Sequence, residues 1–77
     1  PLSDNLEILK ISKTISEQLE IDHQIFLINF LQRKSWEKTK NINIIKKLEV
    51  LKVHLKSYIK PRLAWEVTLL KIAIEDL

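Results

Sequence analysis

The stretch Tyr58-Ile59-Lys60-Pro61-Arg62-Leu63-Ala64-Trp65-Glu66-Val67-Thr68-Leu69-Leu70 decides the fold, because it opens a helix with apolar residues on two separate faces. Pro61 suits the first helical position: its φ is already helical, and its missing N–H would have had no intrahelical acceptor. On a helical wheel Leu63, Val67, Leu70, Ile74 and Leu77 form one stripe. Trp65, Leu69, Ile72 and Ala73 form a second, and only Ala64, Thr68, Lys71 and Glu75 are left for water. A helix apolar on nearly all sides is buried, and a short chain has few helices with which to cover one. The expectation is that the Leu63 stripe belongs to the chain's own core and the Trp65 arc to another subunit.

Working outward, three more helical segments precede this one. In the first, Ser3 or Asp4 caps a helix with Ile8, Ile11, Ile15 and Leu19 on one face and Glu7, Lys10, Lys13 and Glu17 on the other. The second starts at Asp22 as N-cap, with Ile21 placed to pack on Phe26 as a hydrophobic staple, and runs to about Lys38. Its Ile25, Phe26, Leu27, Ile28, Phe30 and Leu31 point in most directions, the pattern of a central or partner-facing helix. Asn41 or Asn43 caps the third, whose Ile44, Leu48, Leu51, Leu55 and Tyr58 keep an amphipathic rhythm opposite Lys46, Glu49, Lys52, Lys56 and Lys60. Val50 and Val53 sit off that stripe. Pro61 ends the third helix near Lys60 by disfavouring helical geometry in the residue before it. The class is therefore all-α, a small bundle of about four helices forming one domain over residues 1–77.

Composition narrows the functions. The 77 residues are 45% hydrophobic and 30% charged, an ordered globular balance. With no Cys there is no thiol catalysis, no zinc-thiolate site and no redox switch. With no Gly, no phosphate-cradling loop or nucleophile elbow can be written. His23 and His54 are too far apart to form a spaced metal pair. The expectation is a non-enzymatic chain without cofactor, metal or membrane span, acting in the cytoplasm. The chain also lacks Met and begins at Pro1, which reads as a fragment of a longer protein.

Charge is uneven. Residues 34–62 carry nine basic and two acidic side chains, and the flanking segments are each net acidic. A Lys-rich face drawn from Lys34, Lys38, Lys40, Lys46, Lys47, Lys52, Lys56 and Lys60 could neutralise phosphates, which makes a small nucleic-acid-binding domain the alternative reading. Only Arg33 and Arg62 are available for bidentate readout, so lysines that solvate a helix face are the simpler account. Trp36 and Trp65 could stack on bases but stand among aliphatics at helical spacing, as core or interface anchors do. Arg62 and Glu66, four apart, either pair on the surface or meet a neighbouring chain.

Leu48-Glu49 through Leu55, then Tyr58-Ile59-Lys60-Pro61-Arg62-Leu63-Ala64-Trp65-Glu66 and Leu69-Leu70, resemble the C-terminal collar domain of bacterial DNA polymerase III clamp-loader subunits, the delta prime subunit most of all and gamma/tau next. The family pattern is a helix, then Asn-Pro-Arg-Leu with an apolar pair and Glu, then a Leu-rich helix. Lys60 stands where that Asn would be, and Trp65 replaces a commoner aliphatic. The resemblance covers about the last 30 residues of the 77. It implies an oligomerisation collar packed beside gamma/tau and delta, with ATPase and polymerase activities in other domains or subunits. Delta prime in that assembly is a rigid stator without competent ATPase function.

On this reading Val50, Val53, Trp65, Leu69 and Ile72 are the subunit-contact candidates, and Leu48, Leu51, Leu55, Leu63, Val67, Leu70 and Ile74 are core. A generic self-associating helical adaptor would show the same two faces. Trp65→Ala is then expected to leave a folded, cooperatively melting domain that no longer joins its partners, as co-purification would report.

Overall fold

The computed structural model describes residues 2–57 and 60–75, with backbone alone for residues 2–4. Four helices follow one another: α1 (Leu2–Gln18), α2 (Ile21–Thr39), α3 (Ile42–Lys56) and α4 (Pro61–Glu75). No strand occurs among the described residues, so the chain is an all-α bundle. Neighbours in space are α2 with α3, α3 with α4, and α4 with α1. The result is a slab of 28 × 27 × 17 Å in which the last helix lies between the first and the third.

α3 follows its apolar pattern but ends at Lys56, with Ser57 as C-cap, short of the end near Lys60 that Pro61 led the sequence to suggest. Asn41 caps it, its Oδ1 accepting from the Asn43 N–H at 2.9 Å. Ile44, Leu48, Leu51 and Leu55 are all buried, at the spacing that aligns one helix face with the core. Tyr58, expected to extend that stripe, lies outside the described residues. α4 begins at Pro61, with the Ala64 N–H already donating to the Lys60 carbonyl at 3.0 Å.

The two apolar arcs of α4 exchange roles relative to expectation. Trp65 is 0% exposed, and Ala64, Thr68 and Ile72 are buried with it, while Leu63, Val67 and Ile74 face outward. The indole decides this. It has the largest apolar area to hide and a polar N–H that needs a partner when buried. Trp65 Nε1 donates to Gln24 Oε1 at 2.9 Å in a buried bond, and Gln24 Nε2 donates to the Leu19 carbonyl at 2.9 Å. Gln24, itself buried, thus ties α4 to the short link between α1 and α2. Ala64 and Thr68 are small, and their burial leaves room for the neighbouring helices to approach α4.

α1 and α2 also depart from their readings. α1 turns Ser12 into the interior and leaves Ile11 exposed. It starts at Leu2, ahead of Ser3 and Asp4, whose side chains are outside the described set. In α2 the N-cap position is Glu20, which makes no side-chain cap bond, and Asp22 lies inside the first turn. The Ile21–Phe26 staple does not form, because Phe26 is 73% exposed. α2 ends at Lys40, whose left-handed backbone (φ 54, ψ 25) directs its N–H to the Trp36 carbonyl. Gly is the usual residue for that geometry.

Outside the core, a polar seam joins α2 to α3. Gln32 Nε2 donates to the Ile45 carbonyl at 3.1 Å, and Lys52 Nζ donates to Asn29 Oδ1 at 2.9 Å and pairs with Glu49 at 3.1 Å. The hydrogen bonds from Lys52 and Gln32 hold the Glu49 carboxyl below its ordinary range. Its contribution is therefore present above the usual carboxylate pKa and is lost as pH falls through the lowered value. Glu49 is exposed to water, so that contribution is small.

Two outcomes follow in denaturant unfolding. Trp65→Ala should cost ~3–5 kcal/mol by emptying the centre of the core, with a further loss from the orphaned Gln24. In a chain this small that brings the fold close to collapse. The Ser12 hydroxyl has no hydrogen-bond partner among the described residues, so Ser12→Ala should raise stability by about 1 kcal/mol by removing an unsatisfied buried group.

Candidate protein interface

α3 and α4 lie antiparallel: Lys47 near the start of α3 meets Glu75 at the end of α4, Nζ to Oε2 at 3.1 Å. The outward side of this helix pair carries apolar residues from both members. Val50 (51% exposed) and Val53 (56%) come from α3; Leu63, Val67 and Ile74 come from α4. They are outward for a simple reason. Val50 and Val53 fall on the side of α3 away from its Leu48–Leu55 stripe, and the Leu63 arc faces water once the Trp65 arc has turned in.

Between the two helices a depression of about 250 Å³ is walled by Val50 and Val67 and rimmed by Lys46, His54 and Lys71. At the start of α4, Arg62 Nε donates to Glu66 Oε2 at 3.0 Å, an i,i+4 pair beside Leu63. This surface can exclude water against another apolar surface, with cations at its edge. No group of three or more His, Cys, Asp and Glu that could hold a metal occurs among the described residues.

The five candidate contact residues therefore do not form one surface. Val50 and Val53 lie on the exposed α3–α4 face; Trp65 is enclosed, Ile72 is buried, and half-buried Leu69 lies on the opposite side of α4. The expectation that Trp65→Ala would spare folding is overturned by that burial. The core assignments of Leu63, Val67 and Ile74 are likewise corrected to surface, and Leu70 is only partly buried. Sequence reasoning found both arcs of α4 and misassigned which one faces inward. The signal that could have separated them was the buried polar need of the indole, met by Gln24.

Comparison with known families agrees with this architecture. The family model for the cyanobacterial DNA polymerase III delta prime C-terminal domain matches residues 1–72. The chain belongs to this family. The match takes in all of the first three helices and most of the fourth, well beyond the C-terminal 30 residues that carry the sequence resemblance. It supports delta prime; nothing in the comparison brings in gamma/tau. No curated protein and no solved structure matches the chain. None of the described helices is long and apolar enough to cross a membrane.

Because Val50 and Val53 carry little of this delta prime family domain's own core, Val50→Ser combined with Val53→Ser should change its unfolding free energy by no more than about 1 kcal/mol. Urea titration of the double variant checks this against the Trp65→Ala loss.

Proposed function

We propose that this domain is a non-catalytic collar that assembles the DNA polymerase III clamp loader, joining the gamma/tau and delta subunits through the outer face of α3 and α4. The observation that carries the reading is the apolar surface left unburied in a member of the delta prime family: Val50, Val53, Leu63, Val67 and Ile74 on one helix pair. A small soluble bundle gains nothing by showing such a surface to water, and contiguous exposed apolar patches mark interaction sites. Burying it against a neighbouring collar would release water from both, with Lys46, Lys71 and Arg62 at the rim setting register.

On this reading residues 1–77 act as one oligomerisation unit of a longer chain in the cytoplasm, and ATP hydrolysis and polymerisation belong to other domains and subunits. The nucleic-acid alternative has less support. Lys47 pairs with Glu75, Lys52 with Glu49 and Asn29, and Lys34 with Glu37, while Lys40 lies 5.1 Å over the Trp36 ring. These lysines come from two helices, Lys34 and Lys40 from α2 and its C-cap and Lys47 and Lys52 from α3, and the last two are each turned to a carboxylate.

The test is co-purification of the parent chain with delta and gamma/tau from the same source. Val53→Asp with Val67→Asp, both exposed, should leave the helical fold intact and weaken assembly by at least about tenfold, since an unpaired carboxylate would be buried at the contact. Assembly unchanged by the pair, or unchanged when residues 1–77 are deleted, would refute the collar reading.

A further inference from the structure

A second apolar surface lies away from the α3–α4 outer face, where the bundle is left open. α1 packs on α4, α2 on α3 and α3 on α4, and on the side where α1 and α2 flank α4 two adjoining depressions form one cleft, lined from α1, α2 and α4 and then from α2, α3 and α4. Towards α1 it is a cavity of about 400 Å³ lined by apolar residues alone, Ile8, Ile11, Leu27 and Leu69 among them. Across Leu31, Leu69 and Ile72, which line both, it continues into a groove of about 520 Å³ floored by Ile44 and Leu48. That groove ends at Lys34 and Lys38, the only charged residues along either part among the described residues. The cleft is thus apolar over its length and positive at one end.

We propose that this cleft receives an amphipathic helix from a partner protein, with its apolar stripe along Leu31, Leu69 and Ile72 and acidic residues at one end against Lys34 and Lys38. Charge complementarity selects this occupant. Ile11 and Phe30 are exposed on the two rims, so apolar cover is missing there. Both lysines are available: the Lys34–Glu37 contact of 3.6 Å is between half-exposed groups and exchanges readily, and Lys38 makes no ion pair among the described residues. Walls made of helices present ridges and grooves that accept a further helix through i, i+3, i+4 and i+7 anchors. The inference does not rest on the collar reading, because it uses the opposite side of α4.

The probe is a fluorescent synthetic helix of about 18 residues, long enough to hold helical structure, with a leucine stripe and two glutamates at one end. Its counterpart carries lysines in their place. Binding to the protein is followed by anisotropy. The glutamate peptide is expected to bind about tenfold tighter than the lysine peptide, the scale of two exposed ion pairs. Lys34→Glu with Lys38→Glu should reverse that preference without changing the melting temperature, and Val53→Asp should leave it unchanged even where it abolishes subunit assembly. Failure of the glutamate peptide to bind, or a preference that survives the charge reversal, would overturn the proposal. So would a concentration-dependent dimer of the protein alone that Ile11→Asp dissolves in light scattering, since the cleft would then belong to a second copy.

Discussion

The Trp65–Gln24 hydrogen bond governs how α4 is rotated about its own axis, and most of the remaining structure depends on that rotation. A buried indole N–H without an acceptor would cost on the order of 1–3 kcal/mol. Gln24 supplies the acceptor from α2 and uses its amide to hold the Leu19 carbonyl between α1 and α2. One side chain therefore fixes the last helix against the junction of the first two. With Trp65 turned in, the Leu63 arc can only turn out, and the exposed face with Val50 and Val53 follows from it.

How much of this was legible in the sequence differs from helix to helix. α3 was readable because a single apolar stripe opposes a single charged face, so periodicity and burial have one shared solution. α4 was readable as a helix with two apolar sides, and unreadable in orientation, because a wheel counts apolar residues without asking which of them has a polar atom to satisfy. α1 hid its packing in Ser12, which stands four residues after Ile8 and three before Ile15 on the apolar face but goes uncounted in an apolar pattern because it carries a hydroxyl. The staple at Ile21 and Phe26 failed since a local motif at a helix start yields to where the whole helix can bury area, and α2 buries Gln24 and Ile28 instead.

The candidate site was legible in part for the same reason. Val50 and Val53 stood out as apolar residues off a clean stripe, and the structure leaves them exposed. The α4 residues read as partner-facing include Trp65 and Ile72, which the bundle buries within itself. The motif around Pro61 pointed to the right family, which the match over residues 1–72 shows, since Pro at a helix start after a short link is a local constraint that survives whichever way the helix rolls. The basic middle of the chain is suggestive by count, but Lys47 and Lys52 are spent in part on Glu75 and Glu49, one on another helix and one a turn away.

The docking of α1 on α4 has a consequence for how the protein is made. Within this domain α1 is synthesised before the other three helices, yet its principal neighbour is α4. α2 and α3 can pair as soon as they emerge, through contacts close in sequence, whereas Ser12 and the isoleucines of α1 wait for Trp65 and Ile72. Until then α1 is an amphipathic segment without its main packing surface. The bundle closes only when the fifteen-residue α4 is free to insert between α1 and α3.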